Sequence, residues 1–276
     1  VYRETGRTAL AESRLRSAID LSRGSGSALK EAEATRELAV LYHGMGRNQD
    51  SLAMLNAAHN LFSELNARVD LVNVDSKVAE LEGTYLEVVR EWGQSIESSD
   101  TYTHGHCSRV ADNAIAVARQ LGFAGQELRG IKLGAYLHDV GKVNVPHEIL
   151  NKPGPLTRDE FEVVQQHTIW GVELLEEVEF PWDIKSVIRW HHEKYDGTGY
   201  PDRLKGDEIP LSAQIVGIAD IYDALTTDRP YRRALSHDEA IAEITRIRGS
   251  WSEAVYDAFM RGVGTPQHEM TPLSSG

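Results

Sequence analysis

The chain has 276 residues, 41% hydrophobic and 26% charged, with a formal net charge of -13 and a pI near 5.3. That length allows one or two domains with a sizeable core, and the acidic balance excludes a protein that wraps long nucleic acid, whose affinity comes from Lys and Arg on phosphates. The single cysteine, Cys107, excludes a disulfide framework within the chain and fits a reducing, cytoplasmic setting, while no apolar run is long enough to span a bilayer and no charged-then-apolar leader precedes a cleavage site. Val1 already lies inside a helical pattern, as it would in a piece of a longer protein.

In chain order, Leu10, Leu15, Ala18, Ile19 and Leu21 recur at near-helical spacing, and Gly24-Ser25-Gly26-Ser27 breaks the pattern. A second helix carries Leu29, Ala32, Leu38, Ala39, Leu41 and Tyr42. The turn Gly44-Met45-Gly46-Arg47-Asn48 leads to a third, with Leu52, Leu55, Ala58, Leu61, Phe62 and Leu65. Leu15, Ala18 and Leu21 match Leu55, Ala58 and Leu61 at one constant offset, as in a solenoid. Residues 38–65, with Tyr42, Gly46, Ala58 and Phe62, resemble a tetratricopeptide (TPR) repeat. Residues 1–68 are therefore expected to be a TPR-like helical region open to a protein partner; an unrelated helical bundle is the alternative. From Val69 to Ser98 a helical pattern runs without proline, and residues 69–101 are expected to be a connecting helix. Such a helix can pair with its own copy in a homodimer or pack within one continuous domain.

Beyond Ser99-Asp100 the histidines concentrate. Helices are expected at Cys107–Leu121, Gln126–Asp139, Leu156–Val178, Ile184–Glu193, Ser212–Leu225, His237–Ile247 and Glu253–Arg261. Thr157 with Glu160, and Ser236 with Glu239, are spaced as capping boxes that satisfy helix N–H groups reciprocally. No set of alternating strands is present, so the fold class is all-α.

The chemistry-bearing residues cluster in this half. His138 and Asp139 end an apolar helix, where charged groups need partners. They offer a cation an imidazole and a carboxylate, and the carboxylate can bridge two ions. Lys142, one turn on, can face the same cavity as a donor to an anion. His191 and His192 diverge by about 100° on a helix, so both reach one site only if it lies against the helix or holds two ions. Read singly, His138-Asp139 is a dipeptide that occurs by chance on many surfaces, and His191-His192 is better explained by one buried and one exposed ring. His106, His167 and Asp220 join them, the last at the end of the run Ile215 to Ala219, where a buried carboxylate must be neutralised. Five imidazoles and two carboxylates suffice for two cations with positions left for water, the donor set of two-metal hydrolysis. Such sites suit iron, manganese, cobalt, nickel or zinc better than magnesium. His43, His59, His104 and His147 fall outside the pattern.

The loop Asp196-Gly197-Thr198-Gly199-Tyr200-Pro201 directly after His191-His192 makes the sequence recognisable. From Tyr102 to Phe259 it resembles the HD-GYP family of the HD superfamily of metal-dependent phosphohydrolases. The likeness runs through His106 to Val110, His138-Asp139-Val140-Gly141-Lys142, Lys152 to Thr157, His167, His191-His192-Glu193, Asp220 to Leu225 and Arg229-Pro230-Tyr231-Arg232. It implies an HD-domain helical bundle over residues 102–276 and cyclic di-GMP phosphodiesterase activity, giving linear pGpG and then GMP if a second cut follows. Two divalent cations, iron or manganese, are implied as cofactors. The implied metal ligands are His106, His138, Asp139, His167, His191, His192 and Asp220, with Asp139 bridging. Lys142 is implied at the scissile phosphate, Tyr200 in the substrate pocket, and Arg229 and Arg232 on substrate phosphate or base edges, where the guanidinium fork fits.

Two departures stand out. Some members carry a third-metal Glu where this chain has Tyr102, so two metals are expected; and the usual Phe-Asp-Pro stretch appears as Trp251-Ser252-Glu253, which removes no ligand. Two rival readings stay open: the same chemistry on 3',3'-cyclic GMP-AMP or another cyclic dinucleotide, and a TPR interaction protein whose HD domain only senses nucleotide.

Overall fold

The computed structural model describes residues 8–68, 72–97, 105–228 and 233–264. These residues form thirteen α-helices and three short 3-10 turns, with no strand among them. They divide into two compact units, Val1–Trp92 with Leu174–Pro181, and Gly93–Glu173 with Trp182–Gly276.

The first unit holds α1 (Thr8–Gly24), α2 (Ala28–Gly44), α3 (Asn48–Arg68) and most of α4 (Val72–Glu97). Its two interhelical turns close alike. Gly26 and Gly46 take φ of 69° and 73°, and the next residue's N–H returns to a carbonyl five positions back: Ser27 to Ser22 and Arg47 to Tyr42, both at 2.9 Å. This is the Schellman ending, which needs a left-handed residue that glycine adopts at least cost. The helices consequently fold back on each other, α1 on α2 and α2 on α3, burying Ala11, Ile19, Leu38, Leu41 and Tyr42 in one cluster. In α4, Tyr85 is buried and donates its hydroxyl to Asn56 Oδ1 at 2.6 Å.

The second unit begins with the end of α4 and contains α5 (His106–Gln120), α6 (Gly125–Leu137), α7 (His147–Leu150), α8 (Arg158–Gln165), most of α9 (His167–Leu174), α10 (Ile184–Trp190), α11 (Leu211–Thr226), α12 (His237–Arg246) and α13 (Glu253–Gly262). α5 packs against α6, α11 and α13, and α10 against α6 and α11. In α11, residues 213–219 are all buried, as befits a helix enclosed on every side. Phe259 and Val255 of α13 and Ala114 and Val117 of α5 are fully buried as well. Thr157 and Ser236 form the expected capping boxes at α8 and α12, and Ser252 caps α13.

One element departs from the sequence reading. Leu156–Val178 is not a single helix: it breaks at Gln166 between α8 and α9. The His167 ring takes the Val164 carbonyl through Nδ1 at 2.7 Å, and the Thr168 hydroxyl takes that of Gln165 at 3.1 Å. Side chains thereby occupy carbonyls that a continuous helix would use. The break turns His167 inward.

Candidate metal centre

The site is built from helix ends. His106 opens α5 behind Gly105, whose φ of 74° turns the chain into the helix. His138 and Asp139 follow the last residue of α6, and a 3-10 turn from Val140 to Asn144 carries Lys142. His167 opens α9, His191 and His192 follow α10, and Asp220 lies within α11. Two glycines allow these backbones to meet. A β-carbon on Gly141 would strike the His167 carbonyl and the Gly171 nitrogen, and one on Gly217 the His191 carbonyl.

Residues distant in sequence thus converge. The His106 and His138 rings lie 5.3 Å apart, His138 and His191 5.0 Å, His167 and His192 5.2 Å, and His191 and His192 4.1 Å. Asp139 is central: Oδ1 stands 3.4 Å from His167 Nε2, and Oδ2 stands 3.3 Å from His138 Nε2 and 2.6 Å from Lys142 Nζ. Asp220 Oδ1 lies 3.4 Å from His106 Nε2. Ligand atoms of Asp139, His167, His191 and His192 fall within 4.8 Å of one another, as do those of His106, His138 and Asp139. Asp139 belongs to both groups.

The tautomers follow from the hydrogen bonds. A carbonyl only accepts, so His138 donates from Nδ1 to Ala135 at 2.7 Å, His167 to Val164, and His191 to Ile188 at 3.0 Å. Whenever the ring is neutral, its Nε2 then carries the lone pair. The Nε2 atoms of His138, His167 and His191 are buried with no hydrogen-bond partner. A buried polar atom left unmet costs about 1–3 kcal/mol, and here three lie in one cluster. Cations in the two donor groups would meet all three, with the His138 proton displaced, so the residues present fit a metal site. Their second nitrogens are fixed by carbonyls, as in well-oriented metal ligands.

Electrostatics agree. Burial pushes His167 down to about 4 and, together with neighbouring imidazoles, holds His191 and His192 well below the ordinary value. These rings are neutral and ready to ligate at neutral pH. For His138, burial favours the neutral form, but Asp139 and Asp220 outweigh it and raise the group to about 9. Burial disfavours the Asp139 carboxylate, yet Lys142 and the histidines hold it well below the usual range. Without a metal, the cluster keeps its charge balanced by a proton on His138 and by Lys142.

Two supporting carboxylates had no assigned role in the sequence reading. Asp223, 2% exposed, accepts from His106 Nδ1 at 2.7 Å, from Arg109 Nε at 2.6 Å and from Arg109 Nη2 at 3.1 Å. It therefore directs His106 Nε2 toward Asp139 and Asp220. The signal available was its position one turn beyond Asp220, on the same helix face. Glu193 accepts the Asp202 N–H at 2.7 Å, and the amides of Arg203 and Leu204 also face its carboxylate. It ties the loop bearing Tyr200 to the paired histidines, and the Tyr200 ring lies 4.7 Å from that of His192. Tyr102, Arg229 and Arg232 lie outside the described residues. No helix among the described residues is long and apolar enough to cross a membrane.

A family model described as HD domain matches residues 92–255. The chain is similar to the cyclic di-GMP phosphodiesterase response regulator RpfG of Xanthomonas campestris pv. campestris, 40% identical over 186 residues, 66% of this chain and 49% of that protein. It is likewise similar to the 3'3'-cGAMP-specific phosphodiesterase 3 of Vibrio cholerae serotype O1, 40% identical over 163 residues, 59% of this chain and 35% of that one. The chain spans about half the length, or less, of these curated relatives. Among solved structures, Bd1817, a HDG"Y"P protein from Bdellovibrio bacteriovorus, aligns over 77% of this chain and 71% of its own with a TM-score of 0.51 at 19% identity, a likeness of fold.

Proposed function

The chain belongs to the HD domain family, and from that premise we propose that it is an HD-GYP phosphodiesterase that hydrolyses a 3'-5' phosphodiester of cyclic di-GMP, giving linear pGpG and then GMP if a second cut follows. The carrying observation is the convergence of three buried Nε2 atoms without a hydrogen-bond partner on the carboxylate shared by both donor groups. His106, His138, Asp139, His167, His191, His192 and Asp220 would hold two divalent cations, iron or manganese by the imidazole-rich donor set, with Asp139 common to both. Bound cations supply Lewis-acid stabilisation of phosphoryl charge and acidify a water for attack on phosphorus.

The chain's own groups do the rest. Lys142 presents an ammonium beside Asp139, where it would meet a scissile phosphate oxygen and offer a cationic donor to the departing 3' oxygen. Tyr200 walls the pocket beside His192. Arg229 and Arg232 would hold substrate phosphate or a base edge. Asp223 keeps His106 in the tautomer that points Nε2 inward. Within this reading, residues 102–276 are the catalytic region, 69–101 the connecting helix, and 1–68 a TPR-like region for a partner; the successive hairpins of α1 to α3 support the last.

The similarity to a 3'3'-cGAMP-specific enzyme favours one second reading, the same hydrolysis on cyclic GMP-AMP. Incubating the metal-loaded protein with each cyclic dinucleotide and identifying the products separates the two. Linear pGpG formed fastest from cyclic di-GMP supports the first. Faster cutting of 3',3'-cyclic GMP-AMP supports the second, and no product from either would refute both.

A further inference from the structure

Beside the metal centre lies a second cavity, about 480 Å³, lined by Gln165, Gln166, Ile169, the loop from Gly197 to Pro201, and Arg203. Tyr200 is common to both places, its ring beside His192 while it also lines this cavity. Arg203 is unusual among the described residues: it alone, apart from glycines, has a positive φ, 57°. A side chain in that region is disfavoured against glycine, and such outliers persist where function uses them. The backbone cause is visible, because the N–H groups of Asp202, Arg203 and Leu204 all face the Glu193 carboxylate. Glycine would serve that turn better. The arginine side chain therefore needs its own reason. The neighbouring Arg189 is held by Asp202 at 2.7 Å, whereas Arg203 is exposed and lines the cavity.

The lining suits a nucleobase. The Tyr200 ring, Pro201 and Ile169 offer flat or apolar surface, and the two glutamine amides offer donors and acceptors. A guanidinium presents paired donors, which match the O6 and N7 acceptors of guanine; adenine has a donor amine in place of O6 and cannot take both. A phosphate alone would not call for the amides or the ring. We propose that this cavity is a guanine subsite and that Arg203, its fork on the purine O6/N7 edge, is a specificity-determining residue. The inference deepens the cyclic-dinucleotide reading above and rests on it for the identity of the full substrate.

Arg203→Gly tests it with two readouts of opposite sign. Removing a left-handed side chain leaves the melting temperature unchanged or higher. The same change should raise KM for cyclic di-GMP roughly ten- to hundredfold, leave kcat nearly unchanged, and spare cyclic di-AMP. Arg203→Lys, which keeps the charge and loses the fork, should resemble Arg203→Gly in its guanine selectivity. Equilibrium binding of GMP and AMP to the metal-loaded protein reads the subsite without turnover: the wild type should prefer GMP, and Arg203→Gly should lose that preference. Equal binding of the two mononucleotides by the wild type, binding of neither, or an unchanged preference in either variant would overturn the subsite. Absence of turnover on every cyclic dinucleotide, with the GMP preference intact and lost in Arg203→Gly, would instead refute the phosphodiesterase reading and support the guanine site.

Discussion

Tyr42 and Asp139 are both buried and each anchors a polar cluster, yet the two clusters are finished differently. At Tyr42 every strong group is matched within the chain. The hydroxyl donates to Glu12 at 2.8 Å and accepts from Arg16 at 2.6 Å, and the Arg47 guanidinium lies 4.0 Å over the ring. At Asp139 three imidazoles are held by their outer nitrogens and have no hydrogen-bond partner on the inner ones. The first pattern holds helices together. The second spends stability to keep lone pairs available, which is worthwhile only if something arrives to use them. A single unmatched atom is not enough to make this distinction, since the Asn56 amide nitrogen also lacks a partner; three that converge are.

The largest expected effect that sharpens this contrast is on folding around the metal centre. Gly217→Val would drive a branched side chain into the His191 carbonyl. Overpacking against backbone should cost more than about 3 kcal/mol, so soluble yield and the denaturant midpoint should collapse; a midpoint within experimental error of wild type would disprove the close approach. Next is Asp223→Asn. It keeps the shape but leaves His106 Nδ1 and Arg109 with a neutral partner, and metal affinity should fall by about 10- to 100-fold. Metal titration measures this, and the thermal midpoint of the metal-free protein checks that the fold survives.

How much of this was legible beforehand depends on what the residue pattern encodes. The all-α class, the capping boxes at Thr157 and Ser236, and the convergence of His106, His167 and Asp220 on His138-Asp139 could all be read, because caps and periodicity are local and the ligand motifs come in a recognisable order. The break at Gln166 could not: Val163, Val164, Trp170 and Leu174 keep a helical period straight through it, and only the side-chain capture of two carbonyls interrupts the helix. Asp220 and Asp223 look alike in sequence, one turn apart. The rotation of α11 decides that one faces the cluster and the other grips His106 from behind. Nothing about an arginine announces a left-handed backbone, so the sequence carries no signal for Arg203.

A smaller effect concerns pH. The folded, metal-free chain holds His138 at about 9 against an ordinary 6.5. Its contribution to metal-free stability is therefore complete below 6.5 and fades as pH rises through 9. A cation must displace that proton, so apparent metal affinity should increase by up to about tenfold per pH unit between 7 and 9 and flatten above. His167, at about 4, and the depressed His191 and His192 are already neutral there and add nothing to this slope. Titration of metal at several pH values in weakly coordinating buffer measures it, and an affinity independent of pH would remove the protonated His138. The smallest effect falls in the first unit. Tyr42→Phe loses the hydroxyl between Glu12 and Arg16, should cost about 0.5–1.5 kcal/mol in chemical denaturation, and should leave metal content untouched. A change in metal content would break the contrast between the two clusters.

The measurement closest to the central claim is elemental analysis of the purified, metal-reconstituted chain beside Asp139→Asn. If the bare imidazoles and the shared carboxylate hold a pair of ions, the wild type will carry two divalent cations per chain. The variant, folded by circular dichroism, will then lose at least one of them. Fewer than one ion per wild-type chain, or two retained without the Asp139 carboxylate, would contradict it.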